Sequence, residues 1–154
     1  MSTKTYAADT TVSVEKSRAE IDRTLERYGA TSFAYMSTSG RAVIMFEAAD
    51  RRIRFDLPLP AKDERRFTHT ARGERTPSVA LGAWEQACRQ RWRALNLAIK
   101  AKLEAVESGI ATFENEFLAY VVLPNGTTVG DWSAPALAKA YTSNTMPALM
   151  PGQQ

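Results

Sequence analysis

The chain has 154 residues, the length of one domain, with 44% hydrophobic and 24% charged residues and a net charge of +3. Its single cysteine, Cys88, excludes an internal disulfide and favours a reducing compartment. No apolar run reaches the roughly 18 residues that a membrane-spanning helix needs, and the polar first residues do not resemble a signal peptide. We therefore predict a cytoplasmic protein with no membrane partner.

The positive charge is concentrated in the middle of the chain. Residues 1–50 have a net charge of −1, residues 51–102 carry 13 basic and 5 acidic side chains for a net charge of +8, and residues 103–154 have a net charge of −4. Fourteen of the 20 basic residues are arginine, whose planar guanidinium binds phosphate or carboxylate through two parallel hydrogen bonds. The pattern favours an anionic partner for the middle segment, and a solvated, salt-bridged surface is the alternative.

The first half of the chain predicts a helix followed by three strands. Residues 1–12 are expected to form a flexible tail, and Ser13 is expected to cap a helix over 14–28 because apolar residues recur there at helical spacing. Gly29 ends that helix. Three short segments rich in β-branched and aromatic residues, 31–37, 41–48 and 51–57, are separated by turn residues, and Pro58 and Pro60 end the last one.

The second half predicts a long loop, a long helix and a smaller α/β segment. Residues 61–77 are polar and are expected to form an irregular loop. A continuous apolar stripe predicts a helix over 79–108 that packs across the strands and buries Trp84 and Trp92. Two short strands over 118–123 and 127–129 follow, joined by a Pro-Asn-Gly turn, and Ser133 is expected to cap a last helix over 134–141.

These elements predict an α+β fold in which an antiparallel β-meander packs against a long helix. The predicted order is α-β-β-β-α-β-β-α. Residues 13–141 form one domain in this interpretation, and residues 142–154 form an extended C-terminal tail.

The sequence contains no recognisable catalytic or metal-binding constellation. One histidine and one cysteine cannot build a structural zinc site, and no phosphate-binding loop or dinucleotide fingerprint occurs. Cys88 lies on the apolar stripe, and His69 has no obvious nucleophile or carboxylate partner. We therefore predict no catalytic residues, no metal and no cofactor, and an enzyme with an unrecognised site is the less favoured alternative.

The arginine-rich segment is the best candidate site. Arg52 and Arg54 project from one face of a predicted strand, and Arg65 and Arg66 lie in the predicted loop. On the long helix three cations fall within roughly 40° of one another around the helix axis, namely Arg89, Arg93 and Lys100. A strand face, a loop and a helix row can together follow a phosphate backbone, so these seven residues are the predicted nucleic-acid-binding residues.

Several segments of the chain resemble a family of small, uncharacterised, non-structural proteins of tailed bacteriophages. The resemblance rests on the segments VSVEKSRAEIDRTLERYGA (12–30), RRIRFDLPLP (51–60), QRWRAL (90–95), IKAKLEAVESGI (99–110) and LPNGTTVGDW (123–132). It implies a phage or prophage source and a role inside the infected bacterial cell, and it implies no site residues.

Two functions follow as predictions. The first is a phage accessory protein that binds nucleic acid, with single strands in replication or recombination as the favoured ligand, through the arginine-rich surface. The second is an inhibitor or binder of a host protein, such as an anti-defence or host-takeover factor. Homo-oligomerisation is left open in both cases.

Overall fold

The computed structural model describes residues 5–146, and its elements follow one another as a helix, a three-stranded meander, a long helix and a smaller C-terminal segment. The helices are α1 (Val14–Arg27), α2 (Arg65–Thr68), α3 (Pro77–Glu107), α4 (Phe113–Phe117) and α5 (Val129–Ser143). The strands are β1 (Ser32–Thr38), β2 (Arg41–Ala48), β3 (Arg51–Pro58), β4 (His69–Thr70) and β5 (Gly73–Glu74). Of the predicted tails, 1–12 and 142–154, residues 1–4 and 147–154 lie outside the described residues, and Thr142 and Ser143 belong to α5.

The strands β1, β2 and β3 form an antiparallel sheet with β2 in the centre, which confirms the predicted meander. Phe33, Phe46 and Ile53 stand in one row across the three strands and belong to the core, so this face of the sheet lies against the helices. Met45 and Arg54 pair in the neighbouring row and therefore project from the opposite, outer face.

The helices α1 and α3 cover the inner face of the sheet. The predicted apolar stripe of α3 is buried, and its residues Trp92, Leu95, Ile99 and Leu103 share one core cluster with the sheet. Trp84 differs from the prediction because it is only half-buried, and its indole Nε1 donates a hydrogen bond of 2.7 Å to the carbonyl of Pro60. The α+β architecture is thus as predicted, with Ile21 and Leu25 of α1 completing the core.

The helices α1 and α3 run side by side in the same direction. Gln86 contacts Thr10, Asn96 contacts Glu20, and Glu104 contacts Tyr28, so that each pair is separated by 76 residues. A constant offset over two helices of equal rise means that they keep their register and remain nearly parallel. The contact between the two helices is therefore long and regular, and side chains on both sides of it line the site described below.

The predicted irregular loop over 61–77 is partly structured. Glu64 accepts a hydrogen bond from the amide of Ala61, and the short helix α2 follows it and buries Phe67. The strands β4 and β5 then form a two-residue ladder that leads into α3. The polar composition did not reveal this because each element is only two to four residues long.

The predicted strands over 118–123 and 127–129 are wrong in detail. Residues Leu118–Tyr120 form a 3₁₀ turn, and the later part makes only isolated bridges, Ile53 with Val121 and Val122 with Thr128. The reason is the spacing of the aromatic residues Phe113, Phe117 and Tyr120, which suits a helical backbone and packs them against Phe55 and its neighbours.

The last helix also begins earlier than predicted. The side chain of Thr128, rather than Ser133, caps α5 by accepting a hydrogen bond of 3.2 Å from the amide of Asp131. None of the residues of α5 is fully buried. Among residues 5–146, no helix is both long and apolar enough to cross a membrane.

Candidate nucleic-acid interface

A surface groove of about 470 Å³ lies along the seam between α1 and α3. We call it the α1–α3 groove. Its walls are formed by polar and charged side chains of both helices, with one residue of the preceding N-terminal segment at the edge. The lining residues are Tyr6, Glu20, Arg23, Thr24, Arg27, Arg93, Asn96, Leu97 and Lys100.

Helical periodicity explains why these residues share one groove. On α1, Glu20, Arg23 and Arg27 recur at steps of three and four, so they share one face of the helix that differs from the face of the buried Ile21 and Leu25. On α3, residues 93, 96, 97 and 100 recur in the same way. Because the two helices run parallel in register, these two rows of side chains face each other across the seam.

The described residues contribute one carboxylate to the groove, and it is paired. Glu20 accepts hydrogen bonds from the guanidinium of Arg93 and, at 2.8 Å, from the amide of Asn96. Hydrogen bonding to Arg93 is the main cause that holds the pKa of Glu20 below its usual value, and burial opposes it. Glu20 is therefore ionised at neutral pH, and it fixes the side chain of Arg93 across the seam.

The other cations of the groove are Arg23, Arg27 and Lys100. Among residues 5–146, no carboxylate lies within salt-bridge distance of Arg23, Arg27 or Lys100. The guanidinium of Arg27 lies 5.1 Å from the ring centroid of Tyr28. With four cations and one carboxylate, the groove has a formal charge of +3 and three positive groups available to an anionic ligand.

The structure brings together two of the seven residues predicted to bind nucleic acid. Arg93 and Lys100 both line the α1–α3 groove. Arg89 lies one turn before Arg93 on α3, and its guanidinium donates to the side-chain oxygen of Gln86. Arg89 borders a separate depression with residues of the N-terminal segment instead of lining the groove.

The remaining four predicted residues lie elsewhere. Arg52 and Arg54 project from the outer face of the sheet, on the side opposite to α1 and α3. Arg52 forms an ion pair of 3.3 Å with Glu47, and Arg54 pairs with Asp56 at 3.1 Å. The other two are exposed on the short helix α2, where Arg66 pairs with Glu64 and Arg65 forms no salt bridge with any described residue.

Sequence reasoning missed the other seven groove residues, among them Tyr6, Arg23 and Arg27. The charges of α1 alternate in sign along the sequence, so the net charge of that segment is near zero and does not indicate a binding site. The packing of α1 on α3 places Arg23 and Arg27 beside the cations of α3, together with the acidic Glu20. A helical-wheel projection of α1 could have shown that both arginines share one face of the helix with Glu20.

The cysteine and the histidine, which could act as a nucleophile, a general base or a metal ligand, lie outside the α1–α3 groove. Cys88 is buried, and burial is the main cause that raises the pKa of its thiol, so the thiol is protonated at neutral pH. His69 Nδ1 lies 2.8 Å from the hydroxyl of Thr68. In the part of the chain that the structure describes, no three residues of the His, Cys, Asp and Glu types cluster in a way that could hold a metal ion.

Comparison with known proteins adds no relative. No protein family matches the chain, and neither a curated protein nor a solved structure is significantly similar to it. The resemblance to tailed-phage proteins therefore stays a prediction.

Proposed function

We propose that this protein binds nucleic acid and that the phosphate backbone lies in the α1–α3 groove. The observation that carries the proposal is the charge of the groove, in which Arg23, Arg27 and Lys100 have no salt-bridge partner among the described residues while Glu20 is paired with Arg93. In line with the sequence analysis, a phage accessory role in replication or recombination is the setting that we propose for this binding.

The physical support is the match between a row of cations and a chain of phosphates. Phosphate contacts supply most of the affinity of sequence-independent binding because each one releases condensed counterions. Three to four such contacts give a slope of about −2 to −3 in log K against log salt concentration for a single strand. Arginine suits this role because its planar guanidinium can bind two phosphate oxygens at once.

The experiment is fluorescence anisotropy with labelled single-stranded DNA, duplex DNA and RNA over a salt series. Neutralising two groove cations, Arg23→Gln with Lys100→Gln, should weaken binding about 30-fold at low salt, at about 1 kcal/mol per lost contact. It should also make the salt slope shallower by about 1.4.

The matched control removes the same charge outside the groove. Arg52→Gln with Lys139→Gln changes two exposed cations that do not line the groove, and it should leave both affinity and slope nearly unchanged. Failure of the unaltered protein to bind any of the three nucleic acids at low salt would refute the proposal. Equal losses in both double variants would show that net charge, and not the groove, determines binding.

A second candidate function is the binding of a host protein, and the exposed apolar residues of α5 favour it. Trp132 is 58% exposed, and Leu137 and Tyr141 are also exposed on this helix. Aromatic side chains of this kind are enriched at the centres of protein interfaces. This function predicts a stoichiometric complex that survives high salt and is lost on Trp132→Ser, whereas the groove variants leave it intact.

A further inference from the structure

The first residues that the structure describes are fixed on α3 by two glutamine side chains. Gln86 Nε2 donates hydrogen bonds of 3.0 Å and 2.9 Å to the carbonyls of Ala8 and Thr10, and Gln90 Nε2 donates one of 2.8 Å to the carbonyl of Tyr6. The two glutamines are one helical turn apart, so they hold successive parts of the segment. Chain ends lacking such contacts are usually poorly ordered.

This anchoring places Tyr6 in the lining of the α1–α3 groove. The residue is 52% exposed and lines the groove together with the unpaired cations. Among the residues that the structure describes, no other ring or cation stacks on the Tyr6 ring, and no hydrogen bond to its hydroxyl group is formed. The backbone of Tyr6 is therefore fixed while its aromatic face remains available.

An available aromatic face beside a row of cations is the arrangement that binds an unpaired base. Every base has a π-face, so stacking on an aromatic side chain tolerates any sequence, whereas the bases of a duplex are already stacked on one another. The cations bind the phosphates and the ring binds a base of the same strand. The half-exposed Leu97 adds apolar surface to the groove.

We infer that Tyr6 stacks on one base of the bound strand and makes the groove selective for single-stranded over duplex nucleic acid. The inference rests on the proposed function of the groove and names its ligand class more narrowly. DNA and RNA share the chemistry involved, since both provide phosphates and unpaired bases. Gln86 and Gln90 are positioning residues, because they act on the ligand only by fixing the segment that carries Tyr6.

The test measures anisotropy of a labelled 12-nucleotide oligothymidylate, a 12-nucleotide oligouridylate and a 12-base-pair DNA duplex. Tyr6→Ala should weaken binding of the two single strands about 5- to 150-fold, which corresponds to about 1–3 kcal/mol, and should leave the salt slope unchanged. Duplex binding should change by less than about twofold. Tyr6→Trp should retain the single-strand affinity, since its ring is at least as good a stacking partner.

The matched control is Tyr141→Ala, which removes a tyrosine that is 88% exposed on α5 and does not line the groove. It should bind all three probes like the unaltered protein. A Tyr6→Ala variant that keeps single-strand affinity, or that loses single-strand and duplex binding equally, would overturn the inference. Failure of the proposed function is distinguishable, because Arg23→Gln with Lys100→Gln would then leave every affinity unchanged.

Discussion

Replacing Glu20 with glutamine should make the protein bind nucleic acid more tightly although it makes the fold less stable. Among the residues that the structure describes, Glu20 is the only carboxylate that lines the α1–α3 groove, and it binds Arg93. Glu20→Gln raises the formal charge of the groove from +3 to +4 and frees Arg93 for one more phosphate. One added contact of about 1 kcal/mol corresponds to about fivefold tighter binding, and the salt slope should become steeper by about 0.7.

The same substitution should lower the free energy of unfolding at neutral pH. Both side chains of the Glu20–Arg93 pair are only 26% exposed, and the pair joins α1 to α3. Removing the charge while keeping a hydrogen-bonding amide should cost about 1 kcal/mol. Because the folded-state pKa of Glu20 is lowered, its contribution is complete above the unfolded value of about 4.3 and disappears as the pH falls through the folded value.

Two measurements check this prediction. Urea unfolding at pH 7 should show the loss of stability, and repeating it in acid should show that the difference between Glu20→Gln and the unaltered protein becomes smaller. Anisotropy at low salt should show the tighter binding, which should vanish at high salt. A folded Glu20→Gln variant whose affinity is unchanged or lower at low salt would refute the view that Arg93 and its neighbours form a phosphate site.

Three other changes test the fold. Arg54→Ala should lower the free energy of unfolding in urea by about 1–2 kcal/mol, because Arg54 donates a 2.7 Å hydrogen bond to the carbonyl of Gly126 and pairs with Asp56. The control Arg52→Ala changes an exposed residue and should alter it by less than about 0.5 kcal/mol. Equal effects of the two substitutions would contradict the bridging role of Arg54. Phe117→Ala should cost about 3–5 kcal/mol by opening a cavity in the aromatic core, and a loss below about 1 kcal/mol would contradict the packing. Gly130→Ala should cost about 1–3 kcal/mol, since the new Cβ would lie 2.9 Å from the carbonyl oxygen of Ala119, and an unchanged unfolding midpoint would refute that close approach.

The fold could be predicted where the sequence repeats a clear period over many residues. The apolar stripe of the long helix and the alternation of Ile53, Phe55 and Leu57 both correspond to the observed core. The segment after the long helix could not be predicted, because its aromatic residues suit both a short strand and a helical turn. Contacts with Phe55, which is distant in sequence, decide between the two.

The candidate site could be predicted only in part, because a count of charges along the chain does not show which helices and strands pack together. Arg93 and Lys100 were identified from their spacing on one helix, and both line the groove. Arg52 belongs to the same basic segment but projects from the other side of the sheet. Arg23 belongs to a segment of nearly neutral charge, and it joins the site only through the packing of α1 on α3.

Because the groove lies on the seam between α1 and α3, binding of a ligand there is coupled to folding of the chain. Its two walls belong to α1 and α3, which the whole meander separates along the chain, so the groove forms only when the two helices pack together. An oligonucleotide that spans the seam would fasten the two helices to each other and favour the folded chain over the unfolded one. At a free concentration 100 times its dissociation constant, such a ligand raises the unfolding free energy by about 2.7 kcal/mol. Melting curves recorded with and without the oligonucleotide should thus report occupancy of the groove without any label on either molecule.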